Sequence, residues 1–307
     1  MTNNMRNTPA QRGALLGVVF ALLAAVGFSA KAILVKLAYL DQVDAITLLA
    51  LRMAFSAPFF IGVALWARLR HAEPLKKQDK LLVLALGLIG YYLSSFLDFL
   101  GLQYISAGLE RLILFLYPTM TVILTALLYK RAIGGKTLAA MALSYAGIAL
   151  VFLHDVGVKQ GGSVVLGALL VFGSTLSYST YLVGAGHAIK RIGAMRFTAY
   201  AMVVASAASL LQFSVARPLG ALALPMRVYE LSVAMALFST VLPVFLLGYA
   251  IRRIGSGNAS LIGSIGPVST IYMAYAILGE RISLLQIIGS SLVLAGVVII
   301  SLNSKKE

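Results

Sequence analysis

Residues 106–129 read Ser-Ala-Gly-Leu-Glu-Arg-Leu-Ile-Leu-Phe-Leu-Tyr-Pro-Thr-Met-Thr-Val-Ile-Leu-Thr-Ala-Leu-Leu-Tyr. A helix rises about 1.5 Å per residue, so this stretch is long enough to cross a hydrocarbon core of roughly 30 Å. Apolarity within it is almost continuous, which excludes the alternating pattern of an outer-membrane barrel. It breaks three of its own rules: Glu110 and Arg111 are charged, and Pro118 sits near the middle. Residues 256–278, starting 150 positions further on, repeat the plan with Pro267 twelve residues in. The fold is decided by this pair.

Working outward from it, apolar runs at 13–38, 43–67, 80–102, 106–129, 137–153, 164–188, 195–215, 229–251, 256–278 and 283–302 predict ten membrane-spanning helices. The whole chain has 307 residues, 60% hydrophobic and 11% charged. A soluble domain of that length carries about a quarter charged residues, so a water-facing fold is excluded. The chain holds no cysteine, which removes disulfides, thiolate metal sites and thiol nucleophiles. The net charge of +15 does not point to nucleic acid, because the basic residues form no contiguous tract. The polar start, Met1 to Arg12, leads into a run from Gly13 that is too long for a signal core and is read as the first span, retained.

Basic residues collect instead on one side of the predicted spans. Arg6, Arg12, Arg68, Arg70, Lys76, Lys77, Lys80, Lys130, Arg131, Lys136, Lys190, Arg191, Arg196, Arg252, Arg253, Lys305 and Lys306 make 17, against Lys159, Arg217, Arg227 and Arg281 on the other. Both termini are therefore expected in the cytoplasm of a bacterial cell with the protein in its inner membrane.

A shift of 149 superposes Pro118 on Pro267, Thr121 on Thr270, Gly108 on Gly257, and Ala146-Gly147 on Ala295-Gly296. A shift of 150 matches Phe28 with Tyr178 and Ser29 with Ser179. The reading is an all-α membrane fold of two five-span repeats, residues 1–153 and 154–307. An odd number of spans per repeat inverts the second copy. The basic pair Lys130-Arg131 faces Gly279-Glu280 in the second copy, as expected if only the first loop is cytoplasmic.

The stretch Pro267-Val-Ser-Thr-Ile-Tyr-Met-Ala-Tyr-Ala-Ile-Leu-Gly-Glu280, followed by Gln286, Gly289 and Gly296, resembles the closing signature of EamA-type drug/metabolite transporters. The first copy keeps Pro118 and Gly147 but has Arg131, Thr137 and Ala140 where Glu, Gln and Gly would fall. The resemblance covers essentially the whole chain. It implies a secondary carrier, often an exporter of amino acids or other small metabolites.

Charges inside spans are costly, about 2.5–3.5 kcal/mol each at mid-membrane on insertion scales. Lys31, Arg52, Asp98, Glu110 and Arg111 come from four spans and share one layer in the half away from the basic loops. Snorkelling or structural ion pairing is one reading; a polar substrate pocket is the other. Expected partners for Glu110 are Lys31 or Arg52, and for Arg111, Asp98. Arg111 and Ser260 each lie seven residues before their proline, so one repeat presents a cation where the other presents a hydroxyl, with Asn258 nearby. An asymmetric site of this kind suits a carboxylate-bearing ligand. Ser29, Tyr92 and Tyr178 are further candidates for the cavity, together with Tyr91 and Tyr181; Pro118 and Pro267 are expected as kinks or hinges beside it. Tyr39, Trp66 and Tyr129 are expected as interface anchors.

Residues 133–137, Ile-Gly-Gly-Lys-Thr, lack the first glycine of a phosphate loop. His71, His154 and His187 are too scattered for zinc, and no cofactor is expected. A membrane enzyme would show clustered acids or a nucleophile–base set, absent among the ten acids; a channel or non-transporting subunit has no need of the inverted duplication. The expected partners are a small-molecule substrate and the lipid bilayer.

Overall fold

The computed structural model describes residues 9–70, 74–130, 132–159 and 162–303, without the side chains of 9–12, 158, 159, 162, 187, 256, 257, 260 and 301–303. Among them every regular element is helical. The first two spans are α1 (Pro9–Tyr39) and α2 (Ala45–Arg70). The third is α3 (Lys77–Gly87), a π-helical segment Leu88–Leu93, and α4 (Ser94–Leu102); the fourth is α5 (Ala107–Leu114) and α6 (Tyr117–Tyr129). Then follow α7 (Gly135–Lys159), α8 (Gly162–Ile192) and α9 (Ala194–Ala216). The eighth span is α10 (Met226–Ala236), a second π segment Leu237–Val241, and α11 (Leu242–Gly263), which turns back at Gly255 with φ 79°. Its last residues and α12 (Gly266–Leu278) make the ninth, and α13 (Leu284–Asn303) the tenth. Nine of these stretches are long and apolar enough to cross a membrane, and the tenth, Leu284–Ile300, is shorter.

The 149-residue offset of the sequence returns in the backbone. Lys77 and Met226, Leu88 and Leu237, Tyr117 and Gly266, and Gly135 and Leu284 open equivalent elements. Even the π segments correspond.

Spans four and nine are broken, where kinked continuous helices were expected. α5 ends at Leu114 and α11 at Gly263, each four residues before a proline, whose ring would clash with that carbonyl in a continuous helix. Pro118 and Pro267 instead occupy the first turn of the next helix, where a missing N–H is harmless. Serines from across the molecule bind beside both breaks. Ser29 Oγ donates to Ala25 O at 2.7 Å and to Gly266 O at 2.9 Å. Ser179 Oγ donates to Thr175 O at 2.8 Å and to Tyr117 O at 3.2 Å. Each repeat's first span thus holds the broken span of the other repeat.

The closing signature is architectural. Gly279 takes the left-handed conformation, φ 68°, that ends α12. Glu280 accepts the Ala107 N–H at 3.2 Å, in the first turn of α5. Gln286 and Ser283 form a capping box at the start of α13: Ser283 N–H donates to Gln286 Oε1 and Gln286 N–H to Ser283 Oγ, both at 3.1 Å. Gly147 and Gly289 let α7 and α13 touch through their backbones; a Cβ on either would lie 2.5 Å from the other's carbonyl oxygen. Tyr39, expected as an interface anchor, instead donates its hydroxyl to Phe99 O at 2.6 Å.

Candidate substrate site

Lys31 on α1 faces α4 and α5. Its ammonium donates to Asp98 Oδ2 and to Glu110 Oε1, the latter at 2.9 Å, so one lysine holds two carboxyls. Both acids are buried, with 4% and 0% side-chain exposure. The expected pairing of Asp98 with Arg111 does not form. Arg111 turns instead toward Gly266 in the break of span nine, while Lys31, on a helix that packs against both α4 and α5, takes both carboxyls. Asp98 Oδ1 and Glu110 Oε2 are buried without a donor.

Arg52 is the neighbour on the other flank. Its Nε donates to Thr240 Oγ1 at 3.0 Å, on the π segment of the eighth span, and its guanidinium lies 5.4 Å from the Phe99 ring centroid. Thr240 in turn donates to Met235 O, five residues back, which fits the wider π turn.

Arg111 lies on the opposite flank, against the break in span nine. A Cβ built on Gly266 would sit 2.8 Å from its Nη2 and 3.4 Å from Ser29 Oγ, so a larger residue there would push the guanidinium aside. Arg111 Nε is buried and unpaired. Tyr117 and Tyr178 are within its electrostatic reach.

Those two rings open an aromatic group that leads toward the basic face. Tyr117 meets Tyr178 edge-on at 5.7 Å, Tyr178 stacks on Tyr181 at 5.6 Å, and Tyr181 stacks on Phe197 at 6.0 Å. Tyr91, on the first π segment, bonds Tyr181 hydroxyl to hydroxyl at 2.9 Å. Gly90 makes the approach feasible, because a Cβ there would lie 2.2 Å from the Tyr181 ring. Tyr92 stacks on Phe96 at 6.3 Å, away from this group. Asn258 is exposed three residues past the Gly255 turn, and its amide donates to Ile254 O in its own helix at 2.9 Å. The side chain of Ser260 lies outside those described. Pro267 is buried and Pro118 half-buried.

The structure therefore brings together Lys31, Asp98, Glu110, Arg52, Arg111, Ser29 and Tyr178. Sequence reasoning passed over Tyr117, Thr240 and Gly266. Thr240 carried a signal, since it lies 149 residues after Tyr91. An open groove lies elsewhere, lined mostly by apolar side chains: Phe55, Met226, Tyr229, Glu230, Val233, Ala234 and Phe238.

The EamA-like transporter family model matches twice, over residues 15–153 and 165–302. The chain belongs to that family. The two matched stretches fall within residues 1–153 and 154–307. The uncharacterized transporter YcbK of Bacillus subtilis is 32% identical over 91% of this chain and 90% of its own. Another from that organism, YyaM, is 29% identical over 70% of each. A crystal structure of an 18%-identical protein superposes with a TM-score of 0.63, covering 94% of this EamA-like chain and 98% of its own, which shows the shared fold.

Proposed function

We propose that this protein is a secondary transporter that exports small carboxylate-bearing metabolites, amino acids among them, by alternating access. The observation that carries the reading is Arg111. A guanidinium beside the Gly266 backbone, with a buried Nε that no protein group takes up, offers a planar fork suited to a carboxylate. The surrounding layer holds three cations, Lys31, Arg52 and Arg111, and two acids, Asp98 and Glu110. The aromatic group beside it offers apolar surface for the rest of a small solute. The breaks at Pro118 and Pro267 allow the helices carrying these walls to change angle, and the two repeats supply the two arrangements that alternating access requires.

The test is uptake of a labelled amino-acid panel into liposomes holding the purified protein. Arg111→Lys keeps the charge but loses the bidentate fork. The expected loss is about 1.5–3 kcal/mol, roughly ten- to hundredfold in affinity, with membrane expression unchanged. Wild-type transport in Arg111→Lys would end the assignment. The basic face is proposed as cytoplasmic in a bacterial inner membrane. Single cysteines at Leu219 and Lys76 check this cleanly in a chain without thiols: an impermeant reagent added outside should label only the first.

A further inference from the structure

Two buried carboxyls converge on one cation: the Lys31 ammonium donates to both Asp98 and Glu110. Their second oxygens are buried and find no N–H or O–H donor. We propose that Asp98 and Glu110 share one exchangeable proton and form the proton-binding site of this transporter.

The surroundings support one proton rather than none or two. With both carboxyls ionised, Lys31 balances only one of them, and two anions would share a single ammonium in a buried layer. Two such groups cannot both remain charged without heavy penalty. With both protonated, the Lys31 ammonium would lose its counter-charge. One proton leaves the trio neutral, with each carboxyl still bonded to lysine.

Other titratable groups face the pair from several elements. Arg52 on α2 and Tyr39 on α1 face Asp98, and Arg111 on α5 faces Glu110. Neither arginine comes within ion-pair distance of the two acids. At the start of α5, Glu280 is occupied by the Ala107 N–H, and Asp155 by the Ser106 hydroxyl at 2.7 Å.

The consequence for transport rests on the reading above. A zwitterionic amino acid with its carboxylate on Arg111 presents an ammonium group to the same two acids. That ammonium replaces the shared proton, which leaves to water on the side then open. Substrate and proton compete for one pair of carboxyls, which is the condition for exchange: substrate moves out as a proton moves in.

The proton itself can be seen without any substrate. A protonated carboxyl shows an infrared C=O stretch that an ionised one lacks, shifted in heavy water. Purified protein in lipid vesicles near neutral pH should show such a band. Asp98→Asn and Glu110→Gln should each abolish it, because the acid left behind pairs alone with Lys31 and ionises. The amide band reports whether each variant is folded. If one variant fails to fold, the other decides alone. Absence of the band in the wild type, or its persistence in either folded variant, overturns the proposal. Neither outcome bears on whether the protein carries amino acids, which the liposome assay reads separately.

Discussion

The two repeats build the same backbone and fill it with opposite chemistry. Lys31 in the first span corresponds to Tyr181 in the sixth at the 150-residue offset, and Arg52, Glu110 and Arg111 correspond to Ala201, Ala259 and Ser260 at 149. The first repeat puts ions around Lys31; the second puts stacked rings around Tyr181. Each cluster meets the π segment of a helix from the partner side: Arg52 bonds Thr240, and Tyr181 bonds Tyr91. Backbone duplication fixes where a group can stand, and the side chain decides whether that place holds charge or an apolar ring. On the transport path proposed above, a solute would meet an ionic wall on one side and an aromatic one on the other.

The comparison can be broken first at Lys31. Lys31→Met leaves two buried carboxyls without their cation, and breaking a buried pair in this way costs about 3–5 kcal/mol. Adding Asp98→Asn should recover part of that loss, since one acid then remains to be neutralised. Thermal stability in detergent, followed by size exclusion after heating, checks both. Equal stability of the single and double variants would show that the ionic cluster is not coupled as drawn.

Tyr181→Phe probes the aromatic side more gently. It keeps the stack on Tyr178 and Phe197 and deletes the hydroxyl pair with Tyr91, for a loss of about 1 kcal/mol. The same thermal assay should place it well below Lys31→Met. A comparable loss would mean that the rings depend on polar contacts as heavily as the ions do.

The smallest effect is expected at the turn between the first two spans. Burial alone would raise the Asp44 carboxyl, but the Thr47 hydroxyl and N–H, together with Arg217 at 3.1 Å, outweigh it and hold the group below the ordinary carboxylate range. A carboxyl lowered in the folded state contributes stability above its unfolded pKa and loses it as pH falls through the folded value. Acidification below the ordinary range of aspartate should therefore loosen this turn slightly, and Asp44→Asn should flatten that part of the stability–pH curve. Arg217 is partly exposed, so solvent screening keeps the contribution small.

Much of the fold was legible in the sequence because span length and a 149-residue offset survive any uncertainty about rotation. Proline positions marked both helix breaks, yet a proline permits a bend or a full interruption, and only the chain's path separates them. The layer of charges was also readable, since depth follows from counting residues. Pairing within that layer was not. Each residue turns a helix by about 100°, so an error of one residue at a span end redirects the side chain. The choice of Lys31 over Arg111 as partner of Asp98 depends on which way each side chain turns from its helix. Glu280 shows the same limit: Gly-Glu was visible as a signature, but its target, Ala107, lies 173 residues away.

The crosswise serines have a bearing on how the molecule is made. Ser29 finds its acceptor at Gly266, 237 residues later in the chain. While the ribosome is still delivering the middle spans, the first helix already stands in the bilayer with that contact unmade. The ninth span therefore closes that seam, and a chain stopped before residue 266 would present quality-control proteases with an open seam along its first helix.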